Sequence, residues 1–401
     1  MKYTENVMDA RPSLFSIYIA VFVSIAAFSM VFPLLPLYAK TFQASDAVIG
    51  SIAASFALAQ MFFSPLWGAL TDRFGRKPVI AAGLLGMSCA FLLFAVSTSI
   101  FMLFASRFLQ GAFAAAVLPS ARAYVADVTK KEERVKALGR LGAMLMLGAV
   151  FGPAIGGLLA GNDMSLPFFV GSAIAFLNFF FIAFFLPESL PRAVRKKTPF
   201  RGISGFRFKE SWLALHSSLA PLFLLAFAWS FLIANKQVAL PLLGAEHFSL
   251  DVAAIGFLFA VMGILSAFVQ FFLIEKITRA IGSHLTIAVG LLASAVSFAL
   301  LPFAPVTAAL FLVASLAGLG AAVARPVITA LISQETSEGQ GITMGTASMF
   351  ESAGRLVGPF VGGVLFSFWY AGPFVFSGIF VTLLIGMLLW KSHYLKAEHQ
   401  I

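Results

Sequence analysis

Apolar residues occur in stretches of 18 or more with almost no charge among them, and such stretches recur along the whole chain. Each is long enough to cross the ~30 Å hydrocarbon core of a bilayer as an α-helix. Clusters of turn-forming and charged residues separate them and predict spans at 14–39, 47–71, 78–97, 99–126, 137–160, 166–187, 217–243, 252–274, 285–303, 306–333, 341–367 and 371–390. The polar N-terminal stretch MKYTENVMDARPS precedes an apolar run that lacks a small-residue cleavage site and is too long for the core of a secretion signal. Residues 14–39 are therefore expected to remain as the first span.

Composition strengthens this picture. With 60% hydrophobic and 11% charged residues the chain has too few polar side chains to cover a soluble surface, so lipid is the expected solvent. The 46 Phe and a mean hydropathy of +0.96 agree. Charge then sets orientation. An even number of spans puts both termini on one side, where the tails and loops, with Arg140 at the adjoining span end, hold 21 of the 27 Lys and Arg; the opposite loops hold Lys40 alone. The positive-inside rule predicts cytoplasmic termini and a cytoplasmic central loop in a multi-pass cell-membrane protein, and the short tails and loops look like those of a bacterial inner membrane. The net charge of +10 reflects basic loops beside anionic lipid, which makes membrane lipids partners and leaves no basic, aromatic-rich module for nucleic acid. Cys89 is the single cysteine, so disulfides and thiolate metal sites are not expected. All five His (His216, His247, His284, His393, His399) lie at or outside span ends, with no HExxH and no Walker loop. The chain reads as neither an enzyme nor an ATP-driven pump; no cofactor or metal is expected, and an ion gradient should supply the energy.

Small-residue patterns repeat at a nearly constant offset. GAVFGPAIGG (Gly148–Gly157) returns 206 residues later as GRLVGPFVGG (Gly354–Gly363); Pro119 and Pro326, like Gly75 and Gly282, are 207 apart, and Pro36 and Pro241 are 205 apart. The chain thus reads as two six-span halves, residues 1–187 and 214–401, joined by a basic linker at 188–213 in which a short amphipathic segment is expected on the membrane face. The predicted fold class is all-α integral membrane, with twelve transmembrane helices in two pseudo-symmetric six-helix bundles. Duplication of this kind is a common frame for alternating access.

Several strings resemble the major facilitator superfamily, and within it the twelve-span drug:proton antiporter branch. GALTDRFGRK (Gly68–Lys77) resembles the cytoplasmic signature after span 2, LFASRFLQGAFAA (Leu103–Ala115) the Arg and Gln-Gly pattern of span 4, and GAVFGPAIGG the span 5 signature carried by exporters. Phe113 departs from the glycine favoured in the span 4 pattern. FPLLPLY (Phe32–Tyr38) and AYVADVTKKEER (Ala123–Arg134) are similar to multidrug and tetracycline exporters. The resemblance implies the major facilitator fold, a monomer, a small-molecule substrate and protons as the coupling ion. It also implies a conformational latch built from Gly68, Asp72, Arg73, Gly75, Arg76, Lys77 and Asp127, in which Arg76 pairs with Asp127 and Asp72 faces the N-terminus of span 11. Physically, Gly68 permits close helix contact, Gly75 a tight turn, and Asp72 favours the positive end of a helix. In span 5, Gly148, Gly152, Gly156 and Gly157 give a smooth face and Pro153 a bend, a candidate hinge.

Ionisable residues within hydrocarbon are costly and so are functional candidates: Arg107, Arg122, Lys236, Arg325, Glu351 and Arg355. Arg122 is close enough to Asp127 to snorkel to the surface. Glu351 and Arg355, four apart, share a face of span 11. The span 1 acid of tetracycline-type exporters is replaced here by Ser24, and the acids of multidrug relatives in spans 7 and 10 by the stretches 235–237 and 321–322. Glu351 is therefore the leading proton-coupling residue, followed by Asp127, with Arg107 implicated by resemblance. Substrate-binding candidates are Arg355, Arg325, Lys236 and Asn235, the in-span Gln60 and Gln270, and the aromatic Phe28 and Phe32; Met349 is a further apolar one. Five bases against one acid inside the spans leave about +4, which biases the path towards anions. The expected cargo is thus an amphiphile or drug, the alternative an anionic or zwitterionic metabolite, siderophore or lipid-like solute.

Overall fold

The computed structural model describes residues 11–161, 163–191, 195, 219–334 and 340–398. Most of the basic linker, with its expected amphipathic segment, lies outside the described residues. Helices follow one another with short connections: α1 (Arg11–Ser29), α2 (Val31–Thr41), α3 (Asp46–Phe74), α4 (Arg76–Ala95), α5 (Ile100–Val128), α6 (Arg134–Ala160), α7 (Leu166–Phe185), α8 (Ala220–Phe248), α9 (Val252–Phe268), α10 (Ile274–Ile281), α11 (Ser283–Leu300), α12 (Thr307–Gln334), α13 (Gln340–Phe368) and α14 (Gly372–Glu398). No strand occurs among the described residues. This is what lipid demands, because only a helix or a closed barrel satisfies every backbone donor and acceptor without water.

Among the described residues ten helical segments are long and apolar enough to cross a membrane, with Leu14–Thr41 counted as one and Val252–Ile281 as another; a shorter apolar helix covers Gly372–Met387. The chain is a multi-pass membrane protein. The expectation of twelve thus stands, by length and composition, at ten and a shorter helix; α13, with its internal Glu351 and Arg355, lies outside that set. Two irregularities depart from the expected spans. The first span breaks at Met30, between α1 and α2. Pro33 has no N–H to give the carbonyl of Ser29, and its ring crowds that carbonyl. The eighth carries a π-helical turn, Val269–Leu273, between α9 and α10.

The chain divides into two compact units, one of Met1–Gln43 with Ser55–Phe206 and the other of Ala44–Ala54 with Arg207–Ile401. In the first, α1 packs on α6 and α4 packs on α5 and α7; in the second, α8 packs on α13 and α11 packs on α12 and α14. The repeated glycine motif explains the pairing of α1 with α6 and of α8 with α13. A Cβ on Gly148 would lie 2.8 Å from the Phe22 carbonyl oxygen, and one on Gly156 2.8 Å from that of Met30. One on Gly152 would overlap the Ser29 hydroxyl and the Ala26 carbonyl. On α13, a Cβ on Gly354 would come within 2.5 Å of the Phe227 oxygen and one on Gly358 within 2.6 Å of the Phe231 oxygen. Both interfaces are backbone against backbone, which only glycine permits. Pro153, expected to bend its helix, lies within an α6 that runs unbroken from Arg134 to Ala160.

Polar ties flank each glycine seam. Asn178 of α7 donates to the Ser24 hydroxyl and the Ala20 carbonyl of α1, at 2.9 and 2.8 Å. Asn235 of α8 donates to Ser377 Oγ and Pro373 O of α14, at 2.5 and 3.2 Å. One helix supplies a test of the glycine contacts. Gly152→Ala should cost ~1–3 kcal/mol through overpacking. Gly142→Ala, ten residues earlier and facing no atom within 4 Å, should stabilise α6 by ~0.5–1 kcal/mol. Thermal unfolding of the two variants in detergent should move in opposite directions.

Candidate functional site

Three polar clusters account for nearly half of the predicted site residues, each within one unit. The first is the turn between α3 and α4. Gly75 has φ +111°, a left-handed conformation that a side chain would strain. It also lies against the Glu188 carboxylate, so that any Cβ there would overlap it. The turn places Arg76, 8% exposed, between two acids: its Nη1 is 2.7 Å from Asp72 Oδ1 and its Nε 3.0 Å from Asp127 Oδ2. The pairing of Arg76 with Asp127 is thus present. Glu188 and Ser189 add to it. The Arg76 backbone N–H donates to Glu188 Oε1 at 2.9 Å, and Ser189 Oγ donates to Asp127 Oδ2 at 3.0 Å. Glu188 also meets Arg195 at 3.8 Å. Glu188 therefore caps the first turn of α4, where a carboxylate faces unsatisfied N–H groups and the positive end of the helix dipole.

Other members of the predicted latch are placed differently. Arg73 is exposed, with its guanidinium 5.4 Å from the Phe74 ring, and Lys77 is half-buried. At Gly68 a Cβ would meet nothing within 4 Å, so among the described residues it makes no close helix contact. Gly157 of the expected hinge is buried.

The second cluster surrounds Arg107, 4% exposed on α5. Its Nη1 donates to Gln110 Oε1, and its guanidinium lies 5.2 Å from the centre of the Phe56 ring. Phe56 stacks on Phe28 at 4.9 Å, and Phe28 meets Phe32 edge-on at 5.1 Å. The predicted Phe28 and Phe32 therefore join Arg107 through Phe56. Arg107 Nε is buried without a hydrogen-bond partner. Among the described residues no carboxylate pairs with this arginine.

The third cluster is formed by α8, α12 and α13. Glu351 Oε2 faces two guanidiniums, Arg355 Nη1 at 3.4 Å and Arg325 Nη2 at 3.5 Å. These are long for charge-assisted bonds, which favour 2.7–2.9 Å. Arg355 Nη2 also donates to Ser352 Oγ at 2.9 Å, and Arg355 Nε is buried with no partner. Arg325 lies 4.9 Å from the centre of the Trp229 ring, a cation–π contact. Trp229 is itself fixed by donating from Nε1 to the Ala321 carbonyl at 2.8 Å. The predicted pair of Glu351 and Arg355 is thus a triad with Arg325. Lys236 is half-buried on α8, and no ion pair or hydrogen bond joins it to a described residue.

Asn235, expected as a substrate contact, lies between helices. It is 0% exposed, its amide nitrogen donates to Ser377 and Pro373 while its Oδ1 is buried with no hydrogen-bond partner, and it abuts Gly362, so it ties helices together. Ser24, at the place of the missing span 1 acid, is likewise buried and bonded to Asn178. Gln60 is half-buried on α3, Gln270 half-buried in the π-helical turn, and Met349 half-buried on α13. Gln110 and Ser352 were legible as i,i+3 neighbours of Arg107 and Arg355. Phe56 and Trp229 come from distant helices and Glu188 from the segment after α7, and none left a local signal.

Comparison with known proteins places these clusters in a family. The family model described as Major Facilitator Superfamily matches residues 17–238 and 222–399. Multidrug resistance protein 1 of Bacillus subtilis (strain 168) is 32% identical over 385 residues, covering 94% of this chain and 96% of its own. Multidrug resistance protein 2 of the same strain is 30% identical, covering 93% of each chain. Quinolone resistance protein NorA of Staphylococcus aureus (strain Mu50 / ATCC 700699) is 29% identical, covering 96% of this chain and 98% of its own. Among solved structures, the nucleoside transporter NupG has the same fold at a TM-score of 0.75 and 13% identity, covering 94% of this chain and 98% of that one. The human organic anion transporter MFSD10 (TETRAN) shares it at 0.71 and 24%, covering 94% and 99%. A family match over nearly the whole sequence, with a relative 32% identical over 94% of the chain, means that the chain belongs to the Major Facilitator Superfamily.

Proposed function

We propose that the chain is a twelve-span secondary active exporter, a monomer in a bacterial inner membrane, that moves small amphiphilic compounds or drugs outward in exchange for protons by alternating access. The observation that carries this reading is Glu351, the carboxylate set deep in α13 between Arg325 and Arg355. A proton on Glu351 cancels the charge that holds both guanidiniums, and a cationic group of a substrate competes with the proton for the same oxygen atoms. Competition of that kind is what antiport requires. The two multidrug resistance relatives and the quinolone resistance relative support a drug-like cargo. Twelve spans follow if α13 and α14 both cross, and the Lys and Arg census supports cytoplasmic termini.

In this reading Arg76, Asp72 and Asp127, with Glu188 and Ser189, form the latch that holds the cytoplasmic side shut in one state. Asp127 is the second candidate for proton coupling. The Gly148, Gly152 and Gly156 seam is the surface about which α6 and α1 shift, with Pro153 adding compliance. The excess of bases over acids at membrane depth favours a second reading of the cargo as an anionic or zwitterionic metabolite, siderophore or lipid-like solute.

Two measurements test these roles. Glu351→Gln should lower pH-gradient-driven transport in proteoliposomes by more than about tenfold while substrate binding persists; gradient-driven transport at the wild-type rate would exclude Glu351 as the coupling residue. Arg76→Ala should destabilise the protein by ~1–3 kcal/mol, a figure discounted for the partial exposure of both acids. Arg73→Ala, on an exposed side chain, should stay within ~0.5 kcal/mol. Thermal unfolding in detergent distinguishes the two.

A further inference from the structure

The two units differ at a place where their repeats should match. In the first, the ring of Phe113 on α5 lies against Gly86 of α4, where any Cβ would overlap it, and stands 5.9 Å from the ring of Trp67 on α3. Trp67 is held there by donating from Nε1 to the Ala112 carbonyl at 2.7 Å. The offset of 207 residues carries Phe113 onto Gly320, Gly86 onto Ala293 and Trp67 onto Ile274. Two aromatic rings thus have a glycine and an isoleucine as their counterparts.

The second unit has a hollow there, of about 220 Å³, lined by Val269, Ile277, Ile281, Val289, Gly290 and Gly320 among others. Gly290 of α11 and Gly320 of α12 meet backbone to backbone and form its floor without side chains. Val269 opens the π-helical turn, whereas the matching α3 runs unbroken from Asp46 to Phe74. Thr286 carries the one hydroxyl of the lining, and it is spent on the Gly282 carbonyl at 2.6 Å. An apolar space of ~150 Å³ already stays dry and takes up benzene. This one extends ~10 Å along α11 from Thr286 to Ala293. Its rim residues Ile281 and Val289 are 40% and 50% exposed, which opens the hollow among acyl chains in a multi-pass membrane protein.

The end of the hollow at Ile281 and Thr286 adjoins the turn between α10 and α11. In the first unit an acid closes the matching turn, since the Arg76 N–H donates to Glu188. The same offset carries Arg76 onto Ser283 and Glu188 onto the uncharged Leu395. Gly282 precedes α11 with no side-chain cap, so among the described residues no carboxylate meets the positive end of this 18-residue helix. The local charge has the same sign. Glu275 pairs with Arg279, which leaves the exposed Lys276, next to Ile277 of the lining, in no ion pair among the described residues.

We propose that an anionic phospholipid occupies this place, with one acyl chain in the hollow and its phosphate over the first turn of α11 beside Lys276. The lipid supplies from outside what Phe113 and Glu188 supply within the first unit: apolar bulk against the helices and a negative group at a helix start. The apolar, exposed rim favours a molecule that arrives through the bilayer, and the surplus Lys276 favours a negative head group.

Native mass spectrometry of the purified full chain, delipidated and titrated with phosphatidylglycerol or phosphatidylcholine, tests the site. The wild type should retain one phosphatidylglycerol with an affinity about fivefold above that for phosphatidylcholine, the effect of about one basic side chain at a lipid surface. Ala293→Phe refills the hollow from an exposed position and should weaken both lipids more than tenfold. Leu292→Phe, exposed on α11 but outside the lining, should leave both unchanged. Lys276→Gln, a surface change, should bring the ratio of affinities to about one while phosphatidylcholine still binds. Equal affinities in the wild type, binding unaltered by Ala293→Phe, or a ratio unaltered by Lys276→Gln overturns the proposal. A dimer in the wild-type spectrum that Ala293→Phe abolishes also overturns it, because a second copy of the chain would then cover the hollow.

Discussion

Helices dissolved in hydrocarbon gain little from burying apolar side chains against one another, because lipid tails are as apolar as leucine. What decides their association is how closely two backbones can approach and which polar groups can be paired. In this chain the approach is set by glycine. Gly148, Gly152 and Gly156 of α6 lie on the carbonyls of α1, and Gly354 and Gly358 of α13 lie on those of α8. Buried asparagines complete each seam, Asn178 reaching Ser24 and Asn235 reaching Ser377. The seam in the second unit also orients the chemistry. Glu351 precedes Gly358 by seven residues and Arg355 precedes Gly362 by seven, so the acid and base stand on the glycine side of α13, two turns along. Close packing of α13 on α8 brings that side to the border where Arg325 covers Trp229.

Charge is handled differently at the two kinds of site. At the turn after α3 one arginine meets Asp72, Asp127 and, through its backbone, Glu188, with water close enough to screen the remainder. That network is satisfied and local, which suits an element that must hold or release as a whole. At membrane depth the bases outnumber the acid, and the contacts that exist are long. Arg107 shows a third solution, with neutral Gln110 and the Phe56 ring in place of a counter-ion.

The helices were legible because hydropathy over 20 or so residues is a strong signal, and most observed ends fall within a few residues of the predicted ones. The break at Met30 has a cause visible in the sequence, Pro33, whereas the π-helical turn at Val269–Leu273 has none. The pair of Arg76 and Asp127 was legible through resemblance, and that of Glu351 and Arg355 through helical spacing. Glu188 was not, since its role depends on a contact 112 residues distant in sequence. The helix-tying contacts of Asn235 were hidden for a related reason. A polar residue in an apolar span reads the same whether it lines a path or ties two helices, and its partner Ser377 is 142 residues away.

The repeat explains why scaffold and chemistry could part company. Offsets of 205 to 207 residues carry the glycine seam of one unit onto that of the other, and the contacts they make are equivalent. Applied to the charged cluster, the same offsets place Leu145 at the counterpart of Glu351, Ala149 at that of Arg355, Leu118 at that of Arg325 and Val31 at that of Lys236. Conversely Arg107 maps onto Ala314. The backbone contacts that hold helices together occur in both copies, while each set of membrane-depth charges occurs in only one. A seam built from glycine and carbonyls makes few demands on the positions beside it, and so one unit can carry an acid and three bases while the other carries Arg107 over an aromatic ring.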